Sequence, residues 1–154
     1  MIYKTTRFGE IDVPGEKVLF FKEGVIGFEN LHEFVILKHR PTSSFFWLQS
    51  LENSELAFSM LFPFEFVPSY SPLIHKEDLD CLEAAEQKNL EIYSMVVIPK
   101  DPALMTINLL SPVVVNPANQ KGRQVVLLDS NYSVNHKLVP DTLKVAGNNT
   151  CPGG

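Results

Sequence analysis

The chain has 154 residues, 45% of them hydrophobic and 20% charged, with a formal net charge of −5 at pH 7; these totals fit one globular domain that buries roughly two-thirds of its unfolded surface. No apolar run approaches the roughly 20 residues that span a bilayer, and the opening MIYKTTRFGEIDV has no signal-peptide core, so the reading is cytoplasmic, with no membrane partner. An acidic chain also argues against direct nucleic-acid binding, which draws its affinity from clustered Lys and Arg.

Taken in order, residues 2–7, 10–13 and 17–21 read as short strands broken at Phe8-Gly9 and Pro14-Gly15, which predicts an N-terminal meander. Gly24 and Gly27 mark turns, with Val25, Ile26 and Phe28 tucked inward. A phosphate-binding role is set aside for this Gly-x-x-Gly, because the strand-like run 34–38 follows it where a phosphate loop needs a helix. The runs at 45–51 and 56–62 flank Glu52-Asn53-Ser54-Glu55 and predict a second hairpin, with Trp47 and Phe58 in the core and Gln49 on the same strand face as Trp47.

Residues 62–72, FPFEFVPSYSP, carry prolines at 63, 68 and 72 that keep them out of a central strand, yet Phe62, Phe64, Phe66 and Tyr70 supply more aromatic surface than a loop needs. Packing of these rings onto the domain is the plain reading; exposure as partner anchors is the functional one, and Phe62, Phe64, Glu65, Phe66 and Tyr70 are its candidates. Across residues 51–91 nine carboxylates face only Lys76 and Lys88, a local balance of −7 against +2 for the rest. Such a block suits a basic partner or is simply a solvated face. Residues 76–88, KEDLDCLEAAEQK, place Leu79, Leu82 and Ala85 or Glu86 along one stripe and predict a helix. Asp78 and Asp80 are not read as a Ca²⁺ loop, since no glycine sits at the required turn. Residues 90–98 return to alternation, with Leu90, Ile92 and Ser94 on one face and Glu91, Tyr93 and Met95 on the other.

From 99 to 132 the β signal is strongest. Thr106 and Asn108 alternate with Ile107 and Leu109, the pattern of a strand wet on one side, and Asn108 is a further candidate contact. The runs 113–115 and 125–128 are continuously apolar, as in strands covered on both faces, and the polar segment 116–123 between them predicts a hairpin loop. Residues 141–154 have little to bury and read as a disordered tail after a domain spanning 1–140.

The chemistry-bearing residues are sparse. Cys81 and Cys151 fit no CxxC spacing, and His32, His39, His75 and His136 sit at no metal-ligand spacing. No nucleophile elbow, phosphate loop or zinc-protease motif is present, so no catalytic residue, cofactor or metal is assigned. The fold class that follows is mainly β: a single antiparallel β-barrel-like domain of about ten or eleven short strands with one short helix.

Six blocks in order resemble the flagellar assembly factor FliW family over roughly residues 5–136: FGEI from Phe8, F-x-EG-x-x-GF from Phe21, FWLQSL from Phe46, IP-x-DP-x-x-MT-x-NL-x-x-P-x-x-x-N from Ile98, G-x-Q-x-x-L from Gly122 and Y-x-x-x-H from Tyr132 to His136. Each block alone is weak; the set is specific. The resemblance implies a non-enzymatic protein, monomeric when free, that binds flagellin and alternatively the translational repressor CsrA, coupling flagellin synthesis to secretion. Where many family members carry an acid before the proline, this chain has Phe62 before Pro63. The alternative reading from the residues alone is a small apolar-ligand carrier, with the phenylalanines lining a barrel interior.

Overall fold

In the computed structural model, which describes residues 1–38 and 40–138, the period-2 segments pair into a closed ring. In chain order the strands are β1 (Ile2–Thr5), β2 (Gly9–Asp12), β3 (Leu19–Phe21), β4 (Glu33–Leu37), β5 (Phe46–Ser50), β6 (Ala57–Leu61), β7 (Glu91–Val97), β8 (Thr106–Ile107), β9 (Val113–Asn116), β10 (Lys121–Gln124) and β11 (His136–Lys137). Two short helices, α1 (Pro63–Phe66) and α2 (Lys76–Cys81), lie between β6 and β7. Seven strands close the barrel in the order β3-β4-β5-β6-β7-β9-β10, with β10 returning to β3. Every seam is antiparallel except that last one, where Lys121 and Gly122 run parallel to Phe20 and Phe21. Closure removes most of the free edges that a flat sheet would expose.

The alternation of β7 and β9 sorts their side chains into two cores. Tyr93, Val113 and Val115 join Phe21, Phe34, Leu48 and Met60 inside the barrel. Ile92, Val96 and Val114 face the other way, into a second cluster with Leu61, Phe66, Tyr70, Ile74, Leu82, Ile107, Leu109, Val125 and Leu127. The run 113–115 is therefore covered on both faces, as its unbroken valines predict. The barrel interior is filled by its own side chains: Phe21, Phe34, Leu48 and Met60 are fully buried, and the Phe21 and Phe34 rings meet edge to face at 5.2 Å. A ligand cavity at this position finds no support in that packing.

Several expectations are corrected. β1 and β2 pair only with each other, so no three-stranded N-terminal meander forms. Their hairpin instead docks on the β5–β6 turn, where the Thr6 N–H donates to the Ser54 carbonyl at 2.9 Å and Arg7 lies 4.0 Å over the half-buried Trp47 ring. Between Gly24 and Gly27 only Val25 is buried; Ile26 and Phe28 stay exposed. The helix predicted over 76–88 stops at Cys81, because Leu82 and Glu83 are recruited elsewhere. The Leu82 carbonyl accepts amide bonds from Asn116 and Asn119 at 2.8 and 3.0 Å, and Glu83 turns the chain with a φ of 53°. Residues 63–66 form a helical turn that the sequence reading placed in a loop, started by Pro63 at its first position. The predicted loop over 116–123 narrows to four residues, since Lys121–Gln124 is itself β10. Beyond it, 125–128 is covered on one face only: Val125 and Leu127 are buried, whereas Val126 and Leu128 are exposed. The tail expected at 141–154 lies outside the described residues.

Candidate functional site

The aromatic stretch after β6 is built as a support with one exposed corner. Phe62 stacks on Tyr93 at 4.9 Å and meets Phe46 edge to face at 4.7 Å, which anchors the start of α1 to the barrel core. Phe66 is buried in the second cluster, and Tyr70 beside it is 4% exposed. The Tyr70 hydroxyl donates to the Leu109 carbonyl at 2.7 Å, and its ring packs on Tyr132 at 4.7 Å and Phe64 at 5.7 Å. Burial, reinforced by Tyr132, pushes the Tyr70 hydroxyl far above its ordinary pKa, and burial does the same to Tyr93, so both stay neutral donors. Tyr132 completes the frame by accepting the Ser71 N–H at 2.8 Å. What this frame presents is Phe64, 44% exposed, and Glu65 beside it in α1. Asn108 is half-buried, and its side-chain oxygen accepts the Ser111 N–H at 2.9 Å, so its amide shapes the turn into β9.

The acidic block is partly spent within the chain. Asp78 holds the Arg123 Nε at 2.7 Å, with Glu23 at 3.8 Å from the same guanidinium, and Glu83 pairs with Lys121. Glu86 meets Lys88 at 3.0 Å, and Glu91 accepts the Tyr93 hydroxyl at 3.2 Å. Partial burial works against the Arg123 charge, but the Asp78 hydrogen bond and the surrounding charges more than compensate, and its pKa rises. Glu52 accepts the backbone N–H groups of Glu33 and His32, which holds its carboxyl below the ordinary range. Glu55, Glu65, Glu77 and Asp80 make no such contact among the described residues and carry the outward charge of the block.

A second region escapes sequence reasoning. His75, immediately before α2, approaches Asp129 at 3.4 Å, and both residues line two open hollows of about 480 and 380 Å³. Leu73, Leu127 and Tyr132 line the larger; Glu77, Asp78, Arg123, Val126 and Leu128 line the smaller. The signal that points to it is the apolar run 125–128, whose alternate residues lack the cover such a run predicts. Among the described residues no three His, Cys, Asp or Glu side chains converge as metal ligands, and no helix is long and apolar enough to cross a membrane.

Comparison with known proteins agrees with this architecture. Residues 2–138 match the family model described as FliW protein. The chain is 37% identical over 145 residues to the flagellar assembly factor FliW of Ruminiclostridium cellulolyticum, an alignment covering 94% of this chain and 98% of that protein. It is 41% identical over 138 residues to the flagellar assembly factor FliW of Bdellovibrio bacteriovorus, covering 90% and 79% of the two. A crystal structure of the flagellar assembly factor FliW superposes with a TM-score of 0.84 at 27% identity, over 92% of this chain and 99% of that one. By the match along residues 2–138 and the shared seven-stranded barrel, the chain belongs to the FliW family of flagellar assembly factors.

Proposed function

We propose that this chain is a cytoplasmic, non-enzymatic binding protein, monomeric when free, that takes up flagellin and alternatively the translational repressor CsrA. Unexported flagellin would draw the protein away from CsrA, and the freed repressor would lower flagellin synthesis. Secretion of flagellin would then return the protein to CsrA. Such a switch requires only that the two binding events compete or couple negatively. The observation that carries the reading is family membership across residues 2–138. Phe64 and Glu65 support its placement: an exposed ring and an unpaired carboxylate share one helical turn, held from beneath by Phe62, Phe66 and Tyr70. An aromatic anchor beside a carboxylate suits a basic partner, for which charge complementarity raises the rate of encounter.

The test is direct mixing. Purified protein incubated with flagellin, and separately with CsrA, elutes as a stoichiometric complex in each case, and flagellin added to the CsrA complex displaces or weakens CsrA. Absence of both complexes at low salt overturns the reading.

A further inference from the structure

The β1–β2 hairpin and the barrel meet as two bodies, each of which holds its own turn. β1 and β2 pair with one another and with no barrel strand. Within the hairpin, the Thr5 hydroxyl donates to the Gly9 carbonyl at 2.8 Å and accepts the Phe8 N–H at 2.9 Å. On the barrel side, the fully buried Gln49 amide donates to the carbonyls of Ser50, Ser54 and Leu56 at 2.9, 3.4 and 3.1 Å. The Ser50 hydroxyl accepts the Glu52 and Asn53 N–H groups at 3.1 and 2.9 Å. The Ser54 carbonyl, which the Thr6 N–H also reaches at 2.9 Å, therefore keeps a donor when the hairpin leaves.

The seam between the two bodies is thin. On the outer face of the barrel Val35 stands opposite Gln49, and Leu37 opposite Trp47. Over this face lie Arg7, 4.0 Å from the centre of the Trp47 ring, and Phe8, whose ring meets Trp47 edge to face at 6.3 Å. Val13 and Val35 are buried, yet neither belongs to either of the two cores. A two-stranded hairpin is marginal by itself, so this one depends on the seam. Past Val13 the chain runs through Pro14 into the turn Gly15–Lys17, where the Glu16 carbonyl accepts the Gln120 amide from the β9–β10 loop. The chain is thus anchored just beyond the hairpin, which puts a hinge at Pro14 and Gly15.

We propose that the β1–β2 hairpin is a strap that opens from the barrel as one unit, baring the apolar face of Val35, Leu37 and Trp47 while the barrel stays closed. Its latch is Thr6, Arg7 and Phe8 at one end and Val13 at the other. Opening breaks the Thr6–Ser54 bond and the Arg7–Trp47 contact together, because both sit on the turn of the hairpin. The β5–β6 turn stays hydrogen-bonded through Gln49 and Ser50.

Trp47 is the single tryptophan of the chain, so its accessibility reads the strap directly. In the full chain, native-state hydrogen exchange is expected to show the paired amides of residues 2–12 exchanging through one shared opening, roughly a hundredfold faster than those of β5 and β6. Val13 lies at the end of the hairpin opposite the Arg7–Phe8 turn. Val13→Ala, which removes two buried carbons, should speed exchange across the whole hairpin about tenfold. It should also raise acrylamide quenching of Trp47 and leave β5 and β6 unchanged. Hairpin amides as protected as those of β5 and β6, or a Val13→Ala effect shared equally by those strands, would overturn the proposal. So would an effect confined to the neighbours of residue 13 with Trp47 quenching unchanged. Arg7→Ala is the second variant, read by exchange alone because it uncovers the ring directly. It should speed exchange of the Val13 amide, at the far end of the strap, as well as that of Thr6, and an unaltered Val13 amide would also overturn the proposal.

Discussion

The ring of Phe21 occupies the space that a side chain on Gly122 would need. The two residues face each other across the one parallel seam of the barrel, and a methyl group built on Gly122 would sit closer to three of the ring carbons than the 3.0 Å that real contacts respect. A fully buried Phe21 has nowhere to move. Gly122→Ala should therefore destabilise the protein by about 1–3 kcal/mol, the usual cost of overpacking a core. Phe21→Leu combined with Gly122→Ala should recover part of that loss relative to the sum of the single changes. Urea unfolding of the four proteins measures the coupling, and strict additivity would show that the ring and the glycine do not constrain each other.

The Asp78–Arg123 pair ties α2 to β10 with side chains only 14% and 26% exposed. A pair this sheltered loses little to solvent screening but is not fully desolvated, so a coupling energy of about 1–2 kcal/mol is expected from a double-mutant cycle of Asp78→Ala and Arg123→Ala. Arg123→Ala should be the costlier single change, because it leaves the less exposed Asp78 carboxylate without its partner while Glu23 also loses its own. Equal effects of the two changes, or a coupling near zero, would show that the contact contributes no more than an exposed pair.

Glu52 gives the stability a predictable acid limb. The Glu33 and His32 N–H groups favour its ionised form, so its folded pKa lies below its unfolded one. The stabilisation is then fully present above the ordinary carboxylate range and is lost as pH falls through the lowered folded value. Glu52→Gln keeps an acceptor oxygen but removes the titration. Between about pH 5 and 3 the urea midpoint of the variant should fall less steeply than that of the parent, and the two curves should converge at the acid end. The side chain is largely exposed, so the separation is small; parallel curves across the whole range would remove Glu52 from the account.

The β architecture was legible because alternation is a local signal. The two faces of β7 follow from residue type at period 2, and the hairpin around Glu52–Glu55 and the doubly covered valines of β9 from short apolar runs bounded by turn residues. What failed depended on contacts distant in sequence. The helix at 76 looks longer in sequence than it is, because its end is set by Asn116 and Asn119, more than thirty residues away. Asn108 reads as an exposed polar strand residue, yet its amide is engaged by Ser111. The acidic block reads as one surface until Arg123 and Lys121, from another strand, take up Asp78 and Glu83. The hollow at His75 and Asp129 joins segments more than fifty residues apart, and no spacing rule connects them.

Tyr70 holds the loop beneath the Phe64–Glu65 corner through one buried hydrogen bond. Tyr70→Phe retains the ring contacts with Tyr132 and Phe64 but leaves the Leu109 carbonyl without its donor at 2.7 Å. The loss should be about 1–2 kcal/mol in unfolding free energy, as for other buried bonds with one partner removed. An unchanged stability would indicate that water or a shifted neighbour satisfies that carbonyl.

Phe64 and Glu65 separate binding from stability. Phe64 is 44% exposed and Glu65 makes no ion pair among the described residues, so Phe64→Ala and Glu65→Lys should each change the unfolding midpoint little. If the corner contacts CsrA, Phe64→Ala should weaken the complex about tenfold or more, since truncating an anchoring ring commonly costs over about 1.4 kcal/mol. Glu65→Lys should act mainly on association, slowing it at low salt and losing that effect as salt is raised. Calorimetry gives the first quantity and stopped-flow mixing the second. Should both variants bind CsrA and flagellin as the parent does while remaining folded, the corner is not the contact surface, and the partners must be sought on another face of the barrel.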